Sequence, residues 1–245
     1  MNLPETFLTA EWRHLAMLHY PIDRAVLEPL VPPGTVLDTY RGIAYVSVVA
    51  FRFLRARVLG LAVPFHEDFS EINLRFYVRR LAGEDWRRGV VFVREFVPLR
   101  VVALAARRLY NEPYLATPMR HDVEVTDGAG SARATYEWQW GGRWHRVAVE
   151  ATGTARPVAA GSVEEFLTDL HWGYTRQRDG GTVEYQVDHP LWPVRLASRA
   201  GLECDVRSVY GEAFAATLSA PPAMAHLVAG SAVRVSRPVR LHSGG

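Results

Sequence analysis

Twice in this chain, alternating apolar and polar residues run up to a pair of glycines and resume beyond it. Ala132 to Trp140 leads through Gly141-Gly142 into Trp144 to Thr152, and Trp172 to Arg178 leads through Gly180-Gly181 into Val183 to Asp188. A period of two marks a half-buried strand, and paired glycines admit the backbone angles of a tight hairpin. In the first run Tyr136, Trp138 and Trp140 share one face, while Arg133, Thr135, Glu137 and Gln139 share the other. Sequential hairpins favour an antiparallel barrel or sandwich over a doubly wound parallel sheet.

The remaining segments extend this pattern. Arg120 to Thr126, joined by the turn Asp127 to Gly130, adds a third strand before the first hairpin. Ile43 to Leu54 and Val90 to Phe96 read as buried strands, and Ile72 to Arg79 alternates without a break. Glu11 to His19 has mixed helix and strand character. Helices are expected from the Asp23 cap to Leu30, from Val101 to Tyr110, and from the capping box Ser162-Val163-Glu164-Glu165 to about Leu170. Strands are expected at Leu202 to Tyr210, Ala213 to Leu218 and Ala232 to Leu241, with a short helix near Pro222 to Val228. No repeat or linker divides the chain, so residues 1–245 are expected to form one domain.

Composition narrows the chemistry. All 28 basic residues are arginine, so no side-chain amine exists for a Schiff base, for anchoring pyridoxal phosphate, or for a P-loop. Gly-x-Ser-x-Gly is absent, and the one cysteine, Cys204, is placed mid-strand as a buried, inert thiol. His66-Glu67-Asp68 lacks the spacing of a metal motif, so neither a metal nor a cofactor is expected. The formal charge of +2 and the scattered pairs Arg79-Arg80, Arg87-Arg88 and Arg107-Arg108 argue against a nucleic-acid partner and suit solvated surface. No apolar run approaches a membrane span, no signal peptide is visible, and a single cysteine suits a reducing compartment, so a cytoplasmic protein is expected.

The candidate site lies on one strand. Glu71, Asn73, Arg75 and Tyr77 share a face opposite Ile72, Leu74, Phe76 and Val78. Turned inward, that face offers a carboxylate, an amide, a guanidinium and a phenol to a bound molecule. Arg75 suits a ligand carboxylate and Glu71 an acid–base role. Turned outward, the same spacing is an ordinary solvated strand, and the residues alone leave both open. His189, in the turn His189-Pro190-Leu191-Trp192-Pro193, reads as a hydrogen-bonded structural residue.

Taken together, Val31-Pro32-Pro33-Gly34, Leu37-Asp38-Thr39, Gly42-Ile43-Ala44-Tyr45-Val46, the Glu71-x-Asn73-x-Arg75-x-Tyr77-Val78 strand, Pro113-Tyr114, Phe166-Leu167-Thr168 and the His189 turn resemble the YqjF-like proteins, a bacterial family of unknown function. That family is similar in fold to acetoacetate decarboxylase. The resemblance implies a β-rich α+β fold: an antiparallel barrel around a cavity, with a few short peripheral helices. It also implies that Glu71 matches a buried glutamate of the decarboxylase, and that Tyr114 stands where the first lysine of its pair is expected. Phe76 replaces a usual Thr, and Asp169-Leu170-His171 replaces the usual Glu-Arg-Tyr, so one pocket wall differs.

With an inward polar face, the expectation is a pocket for a small, anionic organic molecule such as an organic acid or a polyketide-like compound. Glu71 and Tyr114 are its catalytic candidates, and Asn73, Arg75, Tyr77 and His189 its ligand-binding candidates. The chemistry is proton transfer without an imine, in an isomerase, lyase or hydrolase. The expected partners are that ligand and, in a homo-oligomer, further copies of the chain; the alternatives are a non-catalytic binding or sensing protein and a structural protein whose barrel is filled by Trp138, Trp140 and Tyr45.

Overall fold

The computed structural model describes residues 6–62, 67–125 and 130–241. The first half carries β1 (Thr6–Ile22), α1 (Arg24–Leu27), β2 (Val36–Leu37), β3 (Ala44–Val58), β4 (Leu61–Ala62), β5 (Phe69–Ala82), β6 (Asp85–Val97) and α2 (Arg100–Leu109). There follow β7 (Tyr114–Ala116), β8 (Met119–Val125), β9 (Ala132–Trp140), β10 (Arg143–Ala151) and α3 (Val163–Thr168). The last part holds β11 (Trp172–Arg176), β12 (Thr182–Asp188), β13 (Val194–Glu203), α4 (Val206–Tyr210), α5 (Glu212–Leu218), β14 (Met224–Ser236) and β15 (Val239–Arg240).

Seven strands close on themselves in the order β12-β11-β6-β5-β3-β1-β14, with β14 pairing back onto β12. From β14 the sheet continues through β13, β10 and β9 to β8. This β-rich ring with few short helices is the expected fold class. The pairing is antiparallel except where β6 meets β7 and β11.

Alternation along the ring strands sorts two interiors. Leu18, Val46, Val48, Ile72, Leu74 and Phe76 point to one side and pack with Tyr136, Trp138, Val147, Phe214 and Leu218 from β9, β10 and α5. That layer is the main core. Residues one place along face into the ring: Met17, Val49, Phe51 and, on β5, Glu71, Asn73 and Arg75. Trp138 and Trp140 therefore belong to the outer layer, and Tyr45 packs with Phe166. None of the three fills the ring, which holds a cavity instead.

Three expectations are corrected. The segment expected to form strands at 202–210 and 213–218 is the end of β13 followed by two helices. Asp205 caps α4 by accepting from the Ser208 N–H, and Val206, Val209, Tyr210, Phe214 and Leu218 bury one helical face. Cys204 accordingly sits between β13 and α4 and is not mid-strand. The helix expected near 222–228 is the start of β14, whose pairing with β1 from Met224 to Ser236 outweighs local propensity. The Asp127 turn and His66 fall outside the described residues, apart from Gly130.

Of the paired arginines, Arg107 and Arg108 are exposed on α2, whereas the other two pairs supply ion-pair partners. Arg80 and Arg87 both bind Glu184, at 2.9 Å each, and Arg88 binds Asp38 at 2.7 Å. They tie the β5–β6 hairpin to β12 and to the loop after β2.

Candidate active site

Inside the ring lies a cavity of about 380 Å³, within the roughly 300–1,000 Å³ usual for small-molecule sites. Its wall is mostly apolar, built from Trp12, Phe51 and Phe53 on one side and from α2 on another. The polar groups come from neighbouring strands. Glu71, Asn73 and Arg75 project from β5; Glu95 on β6 is paired across from Asn73; Tyr114 on β7 is paired with Glu95.

Glu71 is almost completely buried. Its carboxyl accepts from the Tyr114 hydroxyl at 2.7 Å on one oxygen and from the Asn73 side-chain amide at 2.9 Å on the other. Burial raises its pKa from 4.5 to about 7, against the opposing pull of those two donors and the Arg75 charge. Glu112, also buried, accepts on a single oxygen from Thr175 at 2.5 Å and Tyr185 at 2.8 Å. Burial lifts it to about 7 as well. Glu95 is pushed well above the carboxylate range, first by burial and then by Glu112 and Glu71. Three buried carboxyls share this space, so near neutrality much of their ionisation is suppressed. Burial and the adjacent carboxylates hold the Tyr114 phenol well above its ordinary value, so it serves as a donor.

Four polar atoms here are buried without a partner among the described residues: Asn73 Oδ1, Arg75 Nε, Glu95 Oε2 and Glu112 Oε2. The Arg75 guanidinium donates to the Leu167 carbonyl at 3.3 Å and lies 6.0 Å from the centre of the Tyr77 ring. Such orphans cluster where a ligand or water completes the bonding.

Of the sequence candidates, Glu71, Asn73, Arg75 and Tyr114 come together on the cavity wall. His189 also lines the cavity, but its ring is stacked on Trp192 with centroids 4.0 Å apart. Its nitrogens face the carbonyls of Pro190 and Leu170 at 2.9 and 3.1 Å, and burial lowers its pKa. That histidine holds the turn. Tyr77 stands behind the wall: its hydroxyl meets Ser47 at 2.5 Å, and Ser47 continues to His19 and His226. No cluster of three metal-ligating side chains occurs among the described residues.

Sequence reasoning did not single out Glu95, Glu112 or Tyr185. A lone carboxylate in the apolar run Val90 to Val97 was the available signal for Glu95. Glu112 follows Asn111, whose φ is 58°, and precedes Pro113. This kinked stretch turns the chain from α2 back into the ring.

The model of an uncharacterized conserved protein family, DUF2071, matches residues 9–232. The uncharacterized protein YqjF of Bacillus subtilis (strain 168) is 27% identical over 202 residues, 81% of this chain and 78% of that protein. Among solved structures, acetoacetate decarboxylase from Legionella pneumophila superposes with a TM-score of 0.66 at 13% identity, covering 99% of this chain and 90% of that one. The enduracididine biosynthesis enzyme MppR complexed with pyruvate gives 0.69 at 16%, covering 99% and 92%. An acetoacetate decarboxylase-like enzyme from Sphingomonas wittichii RW1 gives 0.65 at 15%, covering 98% and 95%. At these identities the structures share the fold with this chain.

Proposed function

We propose, from the premise that this chain belongs to the DUF2071 family of uncharacterized conserved proteins, that its cavity binds a small organic acid and moves a proton on it without an imine. The observation that carries this reading is the hydrogen bond between buried Glu71 and Tyr114 in a mostly apolar cavity. A carboxyl titrating near neutrality is matched to general acid–base work, because it both takes and returns a proton at working pH.

The remaining groups have consistent roles. Arginine keeps its charge in proteins, so Arg75, the one arginine in the wall, anchors an anionic head. Protonated Glu95 donates to the ligand oxygen on which charge develops. Glu71 as carboxylate takes the proton from carbon beside that carbonyl, the C–H electron pair moving onto the oxygen. Return of a proton to the same or a neighbouring carbon completes an exchange or an isomerisation. Lysine is absent from the chain, so the route passes through an enol and not an iminium.

Incubating the protein in deuterated buffer with a panel of 2- and 3-oxo acids tests this by proton NMR. The expected result is deuterium uptake beside the carbonyl that falls at least about a hundredfold in Glu71→Gln, with ligand still bound. Binding without any exchange would establish the non-catalytic alternative in its place.

A further inference from the structure

The cavity is far larger than its polar corner needs. Glu71, Asn73, Arg75, Glu95 and Tyr114 sit together on β5, β6 and β7. Starting across from Glu71, at the end of β5 opposite Arg75, Trp12, Phe51, Phe53 and Phe69 form a continuous aromatic wall, with successive ring centroids 5.2 Å or less apart. A three-carbon acid held at Arg75 leaves that wall uncovered.

The opening is apolar too. On α2, Val101, Ala105 and Leu109 line the cavity and are also exposed to solvent. Their spacing of four residues puts them in one stripe along the helix, so the mouth of the cavity runs along α2. Val101 and Leu109 are 59% and 51% exposed. Large apolar side chains at a cavity mouth suit an occupant that is itself apolar there. The unpartnered Asn73, Arg75 and Glu95 atoms ask for a polar head at the other end.

We propose that the natural ligand is an amphiphilic carboxylic acid: its head lies against Arg75 and Glu95, and an apolar chain or fused ring lies along Phe51, Phe53 and Phe69 and leaves past α2. The inference rests on the organic-acid reading above and adds the ligand's body and its direction.

Calorimetric titration with butanoic, hexanoic and octanoic acids, beside octanol and octanamide, tests the proposal. Affinity should rise about three- to fourfold with each added methylene, the factor that burying one such group gives. Octanoate should bind at least about tenfold more tightly than octanol, a charge-assisted hydrogen bond being worth more than a neutral one. Ala105→Trp, which narrows the mouth at an exposed helix position, should flatten the chain-length gradient. If Arg75-dependent binding is the same at every chain length, the amphiphile is wrong and the organic-acid pocket stands. If none of the acids binds while octanol does, both fall.

Discussion

Replacing Glu71 by glutamine should make this protein more stable, and only at neutral and alkaline pH. The carboxyl titrates at about 7 when folded and near 4.5 when exposed. It therefore holds its proton more tightly in the folded chain, and ionisation drives unfolding. The penalty is absent below the unfolded value, grows between the two values, and is complete above the folded one. Over the interval from 4.5 to about 7, it amounts to about 1 kcal/mol at pH 5 and about 3 kcal/mol at pH 8. Glutamine carries no such penalty. It also keeps its bonds: the Tyr114 hydroxyl donates to the new carbonyl, and Asn73 turns its side-chain amide. The unpartnered Asn73 Oδ1 then accepts from the glutamine. Allowing about 1 kcal/mol for exchanging charge-assisted bonds for neutral ones, Glu71→Gln should gain about 2 kcal/mol at pH 8. For a chain of this length that corresponds to roughly 4–8 °C in Tm. At pH 5 the two proteins should agree to within about 1 kcal/mol. Urea denaturation at both pH values, with thermal melts alongside, measures this directly. Equal destabilisation of the variant at pH 5 and pH 8 would refute the reasoning, because Glu71 would then be an ordinary carboxylate stabilised by Arg75.

Two further outcomes follow from packing. A methyl group added at Gly173 would sit 2.1 Å from the Tyr185 ring, so Gly173→Ala should cost more than about 3 kcal/mol in urea unfolding; a loss under about 0.5 kcal/mol would contradict this close approach. Burial pushes the Cys204 thiol up to about 12, so a disulfide reagent at pH 8 should label the native protein at least about a hundredfold more slowly than the urea-unfolded one; equal rates would show an open thiol.

The sequence makes the strands legible wherever one face is buried. On β5 the alternation alone separates Ile72, Leu74 and Phe76 from Glu71, Asn73 and Arg75, and the structure keeps that division. It does not say which side is water and which is cavity, because a lined pocket and a wet face have the same period. The other two carboxyls were hidden for a different reason. Glu95 matters because β6 pairs it with Asn73 and β7 lays Tyr114 beside it. Glu112 matters because Thr175 and Tyr185 arrive from far along the chain. Such neighbours are set by register between distant strands. The departures at α4 and β14 have a common source: local preference gives way where partners decide. Val206, Val209 and Tyr210 are strand-forming residues held in a helix by the Asp205 cap and the core beneath them.

The seams of the ring are unequal. β1 pairs with β3 from Leu8 to Ile22, whereas β6–β11 and β12–β14 are each joined at two residue pairs. The β11–β12 hairpin thus has thin backbone joints on both sides and is held as well by the ion pairs of Arg80 and Arg87 with Glu184. It carries Thr175 and Tyr185, which are the only hydroxyl donors to Glu112 among the described residues. Detaching the hairpin strips Glu112 of both donors. Because burial raises the Glu112 pKa to about 7, alkaline conditions that ionise it weaken the seat of the hairpin.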